Sequence, residues 1–301
     1  MTKTGKAMAA AFVGNFIFGL SFLFTKTALA VTTPAVLLFW RFLLAFAVLL
    51  LLRALRLVHI DLHGKPIVRL ILMGLFQPVL YFFCENYGLL YTNATFSAVM
   101  IALVPIASLA FGALFMRELP TPLQAVCSAV SVFGVMLMAM RQSANGAITV
   151  IGVLLLCGAV MSAVGFNVIS RGSAKTVSPV ERTYMMFAVG TVAFGAAAAA
   201  ENFKTPLSLF APLTDGGFLI ALLYLGVLSS VGAFLMIHYA NTYLSLSRAT
   251  VFSNVITVVS VFAGVVLLHE PFDGIMLAAA LLIIGGIAGV QRFSKDKEQG
   301  E

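Results

Sequence analysis

Ten apolar segments, each about 17 to 25 residues long, fill nearly the whole chain. A helix needs about 20 apolar residues to cross about 30 Å of hydrocarbon. The segments run Ala7 to Ala30, Pro34 to Leu52, Ile67 to Leu90, Ala94 to Met116, Pro122 to Met140, Ile148 to Ile169, Tyr184 to Ala200, Gly216 to Ala240, Ala249 to Leu268 and Gly274 to Val290. Hydrophobic residues make up 61% and charged residues 10% of the 301. A soluble domain of this size cannot hide that much apolar surface. The expected class is an all-α membrane protein with ten transmembrane helices, in contact with membrane lipid.

A net charge of +7 raises the question of nucleic acid, but such a footprint clusters Lys and Arg on one face or helix. Here they are spread over short loops and tails, so no nucleic acid is expected. Sorted by alternate loops, 14 of the 18 lie on the side of both termini, while Lys26, Arg141 and Lys204 fall on the other and Arg41 lies within a segment. By the positive-inside rule both termini are cytoplasmic, as an even number of crossings requires. The first segment ends in Ala28-Leu29-Ala30, which resembles a signal-peptidase site. The run is longer than a signal h-region of about 7 to 15 residues, and Lys26 interrupts the approach, so an uncleaved first helix is expected. Cys84, Cys127 and Cys157 sit inside segments without CxxC spacing, which implies neither a metal site nor a disulfide framework.

The second half repeats the first. A shift of 152 lays Tyr87 to Glu118 on Tyr239 to Glu270, matching Tyr87/Tyr239, Tyr91/Tyr243, Val99/Val251, Ser108/Ser260, Gly112/Gly264 and Glu118/Glu270, and puts Gly134 on Gly286. Earlier in the halves a shift of 145 brings Thr33-Pro34-Ala35 onto Ser178-Pro179-Val180 and Lys26 onto Arg171. The domains read as 1–143 and 144–301, five crossings each. Because five is odd, the copies enter the membrane from opposite sides, giving a 5+5 inverted repeat with a solute site near the midplane between the halves. The seventh segment is short and rich in Ala and Gly, leaving a nine-helix chain as the alternative, against the charge distribution.

These features resemble the drug/metabolite transporter superfamily, specifically its bacterial ten-helix EamA-type exporters. The resemblance covers Ala7 to Phe293 and is carried by Trp40-Arg41-Phe42, by Glu85-Asn86-Tyr87-Gly88-Leu89-Leu90-Tyr91-Thr92-Asn93-Ala94, and by Glu118/Pro120 and Glu270/Pro271 at the ends of the fourth and ninth helices. It implies a central cavity lined by helices one, three, four, six, eight and nine, with five and ten away from it. Phe18-Gly19-Leu20-Ser21 matches the first-helix motif only loosely.

Among the residues that can carry chemistry, Glu85 lies about five residues inside the third segment, about 8 Å by the helical rise. Gly74, Pro78, Tyr81 and Glu85 share one helical face that is small or polar. An intramembrane acid must be protonated or face water, a cation or hydrogen-bond donors. Either Glu85 lines a cavity as a coupling or binding group, or it tethers the outer turn through Asn93 or Thr95. Arg41, seven residues into the second segment, either binds an anionic solute group or plays a structural part, snorkelling to the outer headgroups or bridging to the first helix; the structural part is the favoured expectation. His238 sits one position from the repeat image of Glu85, as one half of a protonatable pair or as an interfacial residue. Ser253, Thr257, Ser260 and Gly264 form a small polar stripe, either a solute path or helix packing, with Asn254 beside it as the expected cavity member. Asn15 and Asn167 are further candidates, or single interhelical hydrogen bonds. Tyr81, Tyr87 and Phe22 are candidates for a stacking wall.

The chain has no GxxxxGK[ST], HExxH, Gly-x-Ser-x-Gly or acidic pair spaced for a metal-bound diphosphate, so neither nucleotide-driven transport nor metal-dependent membrane catalysis is indicated. No cofactor and no metal are expected. The reading is a secondary carrier of the inner membrane that exports small metabolites, amino acids or toxic organic compounds, by alternating access, with protons as a candidate coupling ion. The alternative is an intramembrane enzyme or regulatory membrane protein, for which an enzyme would need polar groups clustered at one membrane face.

Overall fold

The computed structural model describes residues 3–115, 120–144, 146, 148–173, 177–243, 252 and 254–293, and among these there are helices and no strands. In chain order they are α1 (Lys3–Ala28), α2 (Pro34–Ala54), α3 (Ile67–Leu90), α4 (Ala94–Phe115), α5 (Pro122–Ala144), α6 (Val150–Ser173), α7 (Pro179–Glu201), α8 (Gly216–Ile237, continuing to Tyr243), α9 (Asn254–Val266) and α10 (Gly274–Arg292). Nine of them, all but α9, are long and apolar enough to span a bilayer among the described residues. The described part of α9 is 13 residues. The seventh segment is a full helix of 23 residues. Its start explains the extension beyond the apolar run: Ser178 and Glu181 form a capping box and Pro179 occupies the first turn, so polar residues begin the helix. Thr33, Asn93, Asp215 and Asp273 cap α2, α4, α8 and α10 in the same way, each accepting from a free first-turn amide.

The packing carries the duplication into three dimensions. Helix α1 packs on α8 and α9, as α6 packs on α3 and α4; α2 packs on α8 as α7 packs on α3. The pairs α2/α7, α4/α9 and α5/α10 each map onto themselves when the halves are exchanged. The correspondence holds residue by residue at α5/α10. A Cβ on Gly134 would press on Ala279 and Ile283, and one on Gly286 would press on Cys127 and Ser131. The shift of 152 that carries Gly134 to Gly286 carries Cys127 and Ser131 to Ala279 and Ile283. This is the two-fold relation of an inverted repeat.

Two repeat-related helices are irregular at mid-length. Helix α3 widens to i→i+5 bonding over Leu75–Leu80, where Gln77 leaves helical geometry beside Pro78, and α8 widens over Tyr224–Ala233. Proline within a helix removes a donor and crowds the preceding turn. In α3 the Phe76 carbonyl, which takes the Tyr81 amide five residues on, also accepts from Ser162 Oγ of α6 at 2.6 Å. Glycines of α6 and α7 make room for the distorted turn, Gly165 facing the Phe76 ring and Gly190 facing Pro78. Irregular backbone at this depth persists only where neighbouring elements satisfy it.

Candidate functional site

Helices α1, α2, α3 and α8 converge where α3 and α8 are irregular, and a polar cluster lies between them. Arg41 of α2 is 3% exposed. Its Nε donates to Ser230 Oγ at 3.2 Å and its Nη2 to Ser229 Oγ at 3.5 Å, both on the widened turn of α8. Its guanidinium lies 4.5 Å from the centre of the Phe82 ring, a desolvated cation–π contact. Ser229 Oγ also shares a 2.8 Å hydrogen bond with Ser21 Oγ of α1. Across the cluster, on α3, Glu85 is buried and accepts from Tyr81 Oη at 3.1 Å and from Asn86 Nδ2 at 3.4 Å. The two charged side chains are therefore each held by neutral partners. Among the described residues no carboxylate is in ion-pair contact with Arg41.

Snorkelling of Arg41 to the headgroups is thereby corrected, because its side chain turns inward to α8 instead of running along α2 to the membrane surface. The tether of Glu85 to Asn93 or Thr95 is corrected as well. That turn is held by Glu270, whose carboxylate accepts from Ala94 N at 2.6 Å and Thr95 N at 2.9 Å, the free amides that open α4. Close by, Lys26 Nζ donates to the carbonyls of Leu89 and Thr92 at 3.1 Å each, joining the end of α1 to the end of α3. A Cβ on Gly264 would strike Thr95 and the Glu270 carboxylate, so α4 and α9 touch at this end of the bundle. A shallow cavity of about 360 Å³ opens beside it, lined by Lys26, Leu90 and Leu268 among others.

The shared face of Gly74, Pro78, Tyr81 and Glu85 is buried throughout. The other candidates lie apart from the cluster. Asn15 is buried and donates to its own helix at Ala11 O, 2.7 Å away. Asn167 is half-buried on α6, with no side-chain hydrogen bond among the described residues. Asn254 reaches Gln291 of α10 at 3.4 Å, which turns it towards the helix expected to lie away from a cavity. The stripe of Thr257, Ser260 and Gly264 is a packing surface: Ser260 Oγ donates to Gly19 O of α1 at 2.7 Å. Tyr87 faces outwards and donates to Glu201 at 2.5 Å, and Phe22 is buried among apolar residues of α1, α2 and α8, so neither joins Tyr81 in a stacking wall. The side chain of His238, and Ser253 and Glu118, lie outside the described residues. The serines of α8 were missed; two adjacent serines in an otherwise apolar segment were the available signal.

Comparison with known proteins gives this arrangement a family. Residues 5–140 and 150–292 match the EamA-like transporter family. The chain is 31% identical over 286 residues to YcxC, an uncharacterized transporter of Bacillus subtilis (strain 168), covering 94% of this chain and 92% of that protein. It is 25% identical over 283 residues to an uncharacterized transporter of Archaeoglobus fulgidus, covering 91% and 94%. A solved crystal structure, 19% identical, shares the fold with a TM-score of 0.64 over 95% of this chain and 98% of the other. With two matched stretches, a two-fold packing and apolar helices throughout, the chain belongs to the EamA-like transporter family of the drug/metabolite transporter superfamily and is a multi-pass membrane transporter.

Proposed function

We propose that the protein is a secondary active transporter that exports small metabolites, amino acids or toxic organic compounds, across the inner membrane by alternating access. Its two working units are 1–143 and 144–301, with both termini cytoplasmic. The observation that carries this reading is the buried pair Arg41 and Glu85, set between the halves where the repeat-related helices α3 and α8 are irregular. Ionisable groups inside a membrane are costly and are retained for solute or ion handling. In this reading the Glu270 and Lys26 contacts are a latch that closes the outer end, and the solute passes when they break. Glu85 is the proton-coupling group in this reading: among the described residues it takes hydrogen bonds from Tyr81 and Asn86 of its own helix and from no cation, while the Arg41 guanidinium acts on it from across the cluster.

Proteoliposomes with an imposed pH gradient test this. Wild-type protein is expected to move a solute that is recovered chemically unchanged, at a rate that depends on the gradient. Glu85→Gln is expected to keep folding and binding and to lose the gradient dependence. Conversion of the solute would support the enzyme alternative. A wild-type pH response in Glu85→Gln would remove Glu85 from coupling.

A further inference from the structure

The guanidinium of Arg41 has five N–H donors, and the described residues offer it two hydroxyl acceptors, Ser230 and the more distant Ser229. Glu85, the acid that acts on it electrostatically, makes no direct bond to it and takes its hydrogen bonds from Tyr81 and Asn86 on its own helix. Ser230, while accepting from Arg41, keeps its own hydroxyl proton, for which no acceptor occurs among the described residues. A forked cation and an adjacent O–H donor thus lie together, buried, on the irregular turn of α8. Donors in excess of acceptors at a buried site leave room for one more acceptor.

We propose that Arg41, flanked by Ser230, docks a carboxylate of the transported solute. This rests on the transporter reading above and narrows its substrate to carboxylate-bearing molecules. A planar carboxylate matches the guanidinium fork with two parallel hydrogen bonds. One guanidinium with the acid Glu85 across the cluster leaves little room for more than a single added negative charge, which a carboxylate carries and a phosphate exceeds. The rings of Phe82 and Phe42, 4.5 and 5.9 Å from the guanidinium carbon, hold the cation while the site is empty of anion.

The test uses the full chain in detergent and two matched pairs of probes, benzoate against benzamide and phenylalanine against phenylalaninamide. Binding is read as the rise in unfolding temperature with concentration. The carboxylate of at least one pair is expected to bind about tenfold or more tightly than its amide, the scale of a charge-assisted hydrogen bond. Arg41→Gln is expected to erase that preference, and Arg41→Lys to restore part of it as a point charge without the fork. Should Arg41→Gln not fold, Ser230→Ala is expected to weaken the carboxylate severalfold and leave the amide unchanged. Equal binding of both members, binding of neither, or a preference that survives these substitutions overturns the proposal. Vesicles separate its failure from that of the transporter reading. Transport of the amides at the rate of the carboxylates overturns the carboxylate site alone, whereas carboxylates that bind selectively and never cross keep the site and overturn transport.

Discussion

Removing the carboxylate of Glu270 should open the end of the molecule that this structure holds shut. The carboxylate accepts from two backbone amides at the start of α4, at 2.6 and 2.9 Å, and a hydrogen bond to a charged group is worth about 1.5–3 kcal/mol. Glu270 is half-buried, so solvent takes over part of this, and the favourable field of the helix terminus adds only about 0.3–1 kcal/mol. A net loss of about 2 kcal/mol follows for Glu270→Ala, and less for Glu270→Gln, which keeps one acceptor oxygen. At about 1.4 kcal/mol per factor of ten, the closed-to-open equilibrium moves about 30-fold. The assay is labelling by a membrane-impermeant maleimide of Ser97→Cys, in a background without Cys84, Cys127 and Cys157. Ser97 is fully buried in the first turns of α4, hydrogen-bonded to Thr92 at 2.8 Å. Its labelling rate should rise by about that factor in Glu270→Ala and by a smaller one in Glu270→Gln. A rate within about twofold of the parent, in protein that remains folded, would refute the latch.

Other consequences are equally direct. Gly134→Leu and Gly286→Leu should each lower stability by about 1–3 kcal/mol, the range for overpacking, and by similar amounts, because each meets repeat-related neighbours across α5/α10; one variant at wild-type stability beside a damaged other would break that equivalence. Ser162→Ala should cost about 0.5–1.5 kcal/mol in detergent unfolding by removing one of the two hydrogen bonds to the Phe76 carbonyl, which keeps the Tyr81 amide; an unchanged unfolding midpoint would exclude that bond from the stability of the distorted turn. The carboxyl of Asp273 is held below the usual carboxylate range by the Met276 amide and the Arg141 guanidinium. Its depressed pKa means that its stabilisation is fully present above about pH 4, the unfolded value, and fades as the pH falls through the native one. Asp273→Asn, which still caps α10, should flatten that part of the acid-stability profile, and an unchanged profile would exclude Asp273 from it.

The helices and the duplication were legible because apolar length and repeated spacing are local properties of a chain. Glu85 was legible as an acid where none should be, and Tyr81 as its neighbour on the same face. Arg41 was visible but misread: seven residues from a helix start, an arginine can reach the headgroups or the interior, and only packing against Ser229 and Ser230 decides. Glu270 was read as marking a helix end, and its role as the cap of a helix in the other half depends on the fold of both halves. Pro78 announces the break in α3, but the matching turn of α8 contains no proline, so nothing local marks it.

Alternating access between the two halves has a direct test at the contact of α4 with α9. A Cβ on Gly264 would meet Thr95, so Thr95→Cys with Gly264→Cys, in the background without native cysteines, places two Cβ atoms near the separation of about 3.5–4.5 Å that a disulfide needs. Oxidation should pin the outer end shut and abolish solute counterflow in proteoliposomes, and a reducing agent should restore it to the level of the reduced double variant. Counterflow that continues undiminished with the bridge quantitatively formed would contradict passage through this end of the molecule.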